Sequence, residues 1–273
     1  MMMNGAKSGR LVIGDTEMDY VSFGSGKKEL VIIPGLSDGL KTVKGTAIPL
    51  AFLYKSYAKA YRVHVFSRKN RLEEGYSTRE MARDVETAMN RRGIGQASVL
   101  GLSQGGMIAQ YLAIDFPAQV EKLVIAVSAS RPNDTLRSVI RGWIDMAKAD
   151  DYRSLFIDSI EKTHTDAYIR RKKYRLMYPL LTRVGKPKTF SRFIIQAHAC
   201  IHHDAYDELS KITCPTLVIG GDSDHVVGEQ TSEEIADQIP GSQRIIYKGL
   251  GHGAYAETKD FNEQVLQFLN EPV

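Results

Sequence analysis

Chemistry enters the sequence at Gly101-Leu102-Ser103-Gln104-Gly105, where a serine stands two residues from a glycine on either side. The apolar run Ala97–Leu100 leads into it, and a helical pattern (Met107, Ile108, Tyr111, Leu112), ended by Pro117, leads out. A strand, a sharp turn and a helix in that order turn a G-x-S-x-G segment into a nucleophile elbow. Serine at such a turn sits in strained backbone, and side chains two residues away would strike neighbouring main chain; glycine has no Cβ to strike with. Gly106 further eases the approach of the new helix to the sheet. The hydroxyl then projects above the C-terminal edge of the strands, where open α/β sheets hold their ligands. An ordinary glycine-rich turn would account for the composition but not for the setting.

A serine hydroxyl attacks only when a base takes its proton, so the seven histidines become candidates. His64 falls inside a strand pattern and reads as a packed residue. His164, His198, His202 and His203 lie in a long helical stretch. His202-His203-Asp204 has a metal-cluster look but no third ligand at metal-site spacing, and reads as a polar helix end. His225 is the neighbour of an acid. His252 differs: Gly249-Leu250-Gly251-His252-Gly253 is a loop between the last core strand and the last helix, able to reach over the sheet edge towards Ser103. It is the expected base. An imidazole in that role needs a carboxylate to fix its tautomer and to stabilise it once protonated. The strand Thr216–Ile219 empties into Gly220-Gly221-Asp222-Ser223-Asp224-His225, which offers two acids. Asp222 suits a turn brace, whereas Asp224, just before the apolar pair Val226-Val227, suits a carboxylate pointing along the loop.

The elements that must position these groups alternate between strand and helix, the pattern of a mostly parallel sheet covered on both faces. Leu11–Ile13 and Met18–Phe23 predict an antiparallel entry hairpin turned at Gly14-Asp15. Leu30–Ile33, Tyr61–Phe66, Ala97–Gly101, Leu123–Val127, Thr216–Ile219 and Arg244–Tyr247 predict the strands that follow. Thr78–Arg92 carries Met81, Val85, Ala88 and Met89 at helical spacing and stops at Gly93. Phe261–Leu269 puts Phe261, Val265, Phe268 and Leu269 on one face. From Arg131 to Thr213 no strand is legible, only helical patterns, and the stretch is far longer than an ordinary connection. It predicts a helical lid, residues 131–213, inserted into a core made of residues 1–130 and 214–273. The middle of the lid is basic (Arg170, Arg171, Lys172, Lys173, Arg175, Arg183, Lys186, Lys188, Arg192), with no acid between Asp166 and Asp204. A solvated helix face is the plain reading; attraction for anions is the sharper one.

Composition bounds the rest. The chain has 273 residues, 43% of them hydrophobic and 25% charged, as in an ordinary globular protein with a sizeable core. A net charge of +4 is too small to imply a nucleic-acid partner. No apolar stretch after Met1 to Arg10 is long enough for a leader, and no run approaches a membrane span. Two cysteines, Cys200 and Cys214, build no disulfide framework. A cytoplasmic protein is the expectation.

Ile32-Ile33-Pro34-Gly35-Leu36, Gly75-Tyr76-Ser77-Thr78, Met81-Ala82-Arg83-Asp84-Val85, Gly101–Gly106, the run Cys214–Asp224 and Gly251-His252 together resemble the α/β-hydrolase superfamily. The resemblance runs from about Leu11 to Leu269 and weakens through the lid. It implies the α/β-hydrolase fold, a triad of Ser103, Asp224 and His252 in the chain order Ser, Asp, His, and the later acid, Asp224, as the triad member. It also implies an oxyanion hole made by the backbone N–H groups of Gln104 and Leu36. The family motif before that loop usually reads His-Gly; here it is Pro34-Gly35. The implied activity is hydrolysis of a small carboxylic ester through an acyl-enzyme, without metal or organic cofactor. Ser103 argues against dehalogenases and epoxide hydrolases, which use Asp. Gly253 stands where family carbon–carbon hydrolases often carry Trp. Perhydrolase, haloperoxidase-like and acyltransferase chemistry share the same triad, and a low-turnover ligand sensor is the alternative of another class.

Overall fold

The computed structural model describes residues 5–272; Met1 to Asn4, where the stretch read for a leader begins, lie outside them. Strands β1 (Lys7–Ile13), β2 (Thr16–Phe23), β3 (Lys28–Ile33), β4 (Tyr61–Lys69), β5 (Ala97–Leu102), β6 (Val120–Ala126), β7 (Thr216–Gly221) and β8 (Gln243–Tyr247) form one sheet in the order β1-β2-β4-β3-β5-β6-β7-β8. β1 pairs antiparallel with β2, closing at Ile13 opposite Thr16, and β2 pairs antiparallel with β4. Every later pair is parallel. The chain therefore enters by a hairpin and then builds a parallel sheet by crossovers.

Helices α1 (Ala47–Leu53), α2 (Thr78–Arg91) and α3 (Gln104–Asp115) follow the early strands. After β6 come α4 (Asp134–Lys148), α5 (Tyr152–Thr163), α6 (Asp166–Arg171), α7 (Tyr174–Val184) and α8 (Ser191–Ile201). The last part adds α9 (Thr231–Gln238), α10 (Ala254–Glu257) and α11 (Phe261–Asn270). Strand parity shows why both faces of the sheet are covered. Val31 and Ile33 of β3 pack with Met81, Val85 and Met89 of α2 and Ile108 of α3. Leu30 and Ile32, pointing the other way, pack with Val265, Phe268 and Leu269 of α11. Period-two alternation gives a central strand two apolar faces only if consecutive residues are all apolar, as in Leu30–Ile33 of β3. Each such side chain, fully buried, contributes about 1.5–3 kcal/mol. A third cluster joins Leu136, Trp143, Leu155 and Phe193 of the helical segment to Leu36, Met107 and Val227 at the strand ends.

The boundaries differ from expectation in instructive places. β4 runs on to Lys69, past the apolar stretch that ended at Phe66, and so carries Ser67 and Arg68 into the interior at 0% and 2% exposure. β6 starts at Val120 and ends at Ala126, because Val127 adopts a left-handed φ of 46° that leaves the strand. α2 begins at Thr78 as its pattern implied, and Ser77 and Glu80 close a capping box there. Among the described residues, no helix is long and apolar enough to cross a membrane.

Candidate active site

β5 ends at Leu102, and the next residue turns the chain sharply enough that α3 starts at Gln104. Ser103 has φ 54° and ψ −119°, a left-handed conformation that L-residues adopt only when their surroundings impose it. Here several bonds impose it. The Ser103 N–H donates to the Ala126 carbonyl (2.8 Å), and the Ser103 carbonyl accepts from Gly106 N (2.8 Å) and from the Ser128 hydroxyl (2.8 Å). The flanking glycines are required by contact: a Cβ on Gly101 would lie 2.4 Å from the Gly105 carbonyl oxygen, and one on Gly105 would lie 1.9 Å from that of Ile33.

The two later loops converge on the same point. A Cβ on Gly221, the last residue of β7, would sit 1.9 Å from the Leu250 carbonyl oxygen, so glycine lets the loop after β7 lie directly against the loop after β8. That contact brings Asp224 (3% exposed) and His252 (6% exposed) together. His252 Nδ1 lies 2.8 Å from Asp224 Oδ2, and His252 Nε2 lies 2.9 Å from Ser103 Oγ. The other Asp224 oxygen accepts from the amides of Val226 (2.9 Å) and Val227 (3.0 Å). A carboxylate only accepts, so Nδ1 carries the imidazole proton and Nε2 presents its lone pair to the serine hydroxyl. Asp222 takes the other task foreseen for an acid in this turn: its Oδ1 accepts from Gly249 N at 2.8 Å and braces the turn after β8.

The loop after β3 passes over the serine. A Cβ on Gly35 would lie 3.3 Å from Ser103 Cβ and 3.7 Å from Oγ, and Leu36 follows at the start of a 3-10 turn, Leu36–Gly39. Gln104 opens α3, where the first amides of a helix have no partner within it. Ser103 and His252 open into a cavity of about 590 Å³, walled mainly by apolar groups such as Leu40, Val43, Leu50, Leu102, Trp143 and Phe193. The helical segment supplies Trp143, Leu155 and Phe193 of that wall. It is also tied to the histidine loop. Gly253 N donates to the Thr163 carbonyl (2.6 Å), and Glu257 accepts from Thr165 N (2.9 Å) and Thr165 Oγ1 (2.6 Å) and pairs with His164 Nδ1 (3.2 Å). Burial holds the His164 imidazole below its ordinary value, against the opposing pull of Glu257.

Of the remaining histidines, His198, His202 and His225 are exposed, and His64 and His203 are bonded away from Ser103. His64 is buried in β4 and faces Glu29 Oε2 at 2.8 Å. His203 turns inward, with Thr78 Oγ1 at 2.9 Å and Gln110 Oε1 at 3.3 Å, while His202 is exposed. Among the described residues, no group of three or more His, Cys, Asp or Glu is placed to hold a metal. Burial pushes the Cys200 thiol up to about 12, so it offers no thiolate to compete with Ser103. The basic run divides. Arg170 to Lys173 are exposed, and Arg175 pairs with Asp166 (2.9 Å). Arg192 points inward instead, donating to the Asp38 carboxylate (2.9 Å) and to the Asp38 carbonyl (2.6 Å).

The sequence reading missed Arg68, Asp38, Gln196 and the pair His164–Glu257. Only Arg68 left a trace: a charged residue abutting an apolar strand pattern, readable equally well as the first residue of a loop.

Residues 30–258 match the alpha/beta hydrolase fold family. The chain is 28% identical over 211 residues to the AB hydrolase superfamily protein YisY of Bacillus subtilis, covering 75% of this chain and 78% of that one. It is also 28% identical over 216 residues to RutD of Variovorax paradoxus, whose name proposes a carbamate hydrolase, covering 72% of this chain and 75% of that one. Among solved structures, MGS-M2, an alpha/beta hydrolase enzyme from a Medee basin deep-sea metagenome library, superposes with a TM-score of 0.83 at 18% identity, covering 97% of this chain and 98% of that one. With its sheet order, its elbow at Ser103 and this match, the chain belongs to the α/β-hydrolase fold family.

Proposed function

We propose that this hydrolase cleaves a small carboxylic ester through an acyl-enzyme on Ser103. The observation that carries the reading is the continuous chain from Asp224 through His252 to Ser103 Oγ, at 2.8 and 2.9 Å. His252 Nε2 takes the hydroxyl proton as Oγ attacks the ester carbonyl. Asp224 holds the ring in the tautomer that makes this possible and offsets the imidazolium charge. The carbonyl oxygen, now negative, falls between the N–H groups of Leu36 and Gln104, each such donor being worth roughly 10²–10³ in rate. His252 then protonates the leaving alcohol, which departs, and afterwards activates a water that releases the acid from Ser103. The apolar walls favour an acyl or alcohol portion without charge, and residues 131–213 serve as the lid that closes over it.

Esters differing in acyl length, offered as p-nitrophenyl derivatives, test the reading: turnover with an optimum at one length is expected. An aryl carbamate belongs in the same panel, because the resemblance to RutD favours it as the second substrate class. Failure of every member to turn over would remove the hydrolytic reading.

A further inference from the structure

Arg68 is an unusual residue to find near the end of a central strand. It is 2% exposed, and burial pulls its guanidinium below the ordinary value despite the nearby Asp38 carboxylate. Its Nε and Nη1 have no partner among the described residues. A buried guanidinium with two idle nitrogens does not favour folding; an apolar side chain of similar volume fills such a place as well or better. Its placement points to a task beyond stability.

The task is visible in the one nitrogen that is engaged. Arg68 Nη2 donates to the Pro34 carbonyl and to Gln104 Oε1, the latter at 2.8 Å. Pro34 lies two residues before Leu36, and Gln104 opens α3. One side chain therefore links the two segments whose amides form the proposed oxyanion hole. The link is braced on both sides. Gln104 Nε2 donates to the Gln196 carbonyl of α8 at 2.7 Å. Asp38, two residues after Leu36, accepts from the Arg68 amide (3.1 Å) and from Arg192 of α8 (2.9 Å).

We propose that Arg68 is a positioning residue that fixes the spacing of the Leu36 and Gln104 amides, so that both aim at the developing oxyanion. This rests on the proposed function. Its consequence follows from the geometry of transition-state stabilisation: donors help only if they stand 2.7–3.1 Å from the oxyanion's position, and a misplacement of about 1 Å forfeits on the order of 10²-fold in rate. Arg68 is not part of the cavity lining, so removing it acts on the oxyanion donors far more than on the apolar walls formed by Leu50, Trp143 and Phe193.

The test compares wild type, Arg68→Met and Gln104→Leu, the last of which deletes the Oε1 acceptor and keeps the backbone N–H. The readouts are kcat and KM on a short-chain p-nitrophenyl ester, inhibition by an aryl trifluoromethyl ketone, whose serine adduct places an oxyanion in the hole, inhibition by the matching methyl ketone, and thermal unfolding. For Arg68→Met, kcat falls about 10- to 100-fold with KM within about twofold. The trifluoromethyl ketone weakens by a similar factor, and the methyl ketone is unaffected. Should Arg68→Met fail to fold, Gln104→Leu must show the same division between kcat and KM. A rise in KM at unchanged kcat, or equal weakening of both ketones, overturns the inference while leaving the proposed function standing. A folded wild type that neither turns over the ester nor binds the trifluoromethyl ketone overturns both.

Discussion

Two regions meet above Ser103, and they are held in place by different means. The strand ends are fixed by main chain against main chain: Gly105 lies on the Ile33 carbonyl, Gly221 on the Leu250 carbonyl, and Ser103 is held by the Ala126 carbonyl. The helical segment α4–α8 is docked through side chains, with Leu136, Trp143, Leu155 and Phe193 packed on Leu36, Met107 and Val227 and polar contacts beside them. Arg192 reaches Asp38, Asn133 Nδ2 reaches the Val227 carbonyl at 2.7 Å, and Glu257 reaches Thr165. Main-chain contact at these distances admits one residue type, glycine. Side-chain docking can be achieved by many residues, apolar or polar, in many places. The first region should therefore fail sharply under substitution and the second by degrees.

The largest expected effect sharpens the first half of that contrast. Asp224→Asn is nearly isosteric, yet its amide can present N–H to His252 Nδ1 and so reverse the tautomer. Turnover should drop by roughly 10⁴ with the fold retained, as steady-state kinetics beside a circular dichroism spectrum would show; a loss below tenfold would place the base's partner elsewhere. Gly105→Ala comes next. Its new Cβ, 1.9 Å from the Ile33 oxygen, has backbone to displace, and a loss of about 3 kcal/mol or more is expected in urea unfolding. An unchanged midpoint would break the claim that main chain fixes this region.

The helical side predicts smaller, graded effects. Burial lowers His203 from its ordinary value to about 3, so the folded chain keeps it neutral. The unfolded chain protonates it once pH drops below about 6.5. The unfolded state then holds the extra proton, and stability declines as pH falls from about 6.5 towards 3, by about 1.4 kcal/mol per pH unit. His64 and His164, also lowered by burial, act with the same sign. In His203→Gln the slope of unfolding free energy between pH 6.5 and 5 should flatten by about one proton; an unaltered slope would show that His203 titrates alike in both states. Smallest is Glu257→Gln, which weakens the acceptor shared by Thr165 and His164. About 1–2 kcal/mol of thermal stability should be lost, and a loss matching that of Gly105→Ala would erase the contrast.

The same contrast explains what the sequence made legible. Ser103 and His252 could be singled out because glycine punctuates their turns, and glycine spacing survives in one dimension; Gly220 and Gly221 precede Asp222 and Asp224 alike, and the family resemblance chose Asp224. Strand and helix order was readable from apolar periodicity in β3, β5, β7 and α2. The end of β4 was not, since Ser67-Arg68-Lys69 has the composition of a loop and its partners lie in the segment after β3, on α3 and on α8, distant in sequence. Arg192 was hidden for the same reason among eight other basic residues. His203 reads like any polar residue at a helix end until Thr78 and Gln110 are seen around it. Polar groups buried by tertiary contact leave no periodic signal.

The central claim is that the Ser103 hydroxyl is the activated nucleophile. Fluorophosphonate labelling followed by peptide mass spectrometry tests it directly. The account predicts one adduct, on the peptide containing Ser103, formed by wild type and absent from Ser103→Ala. An adduct of equal yield in Ser103→Ala, or none in active wild type, would contradict it.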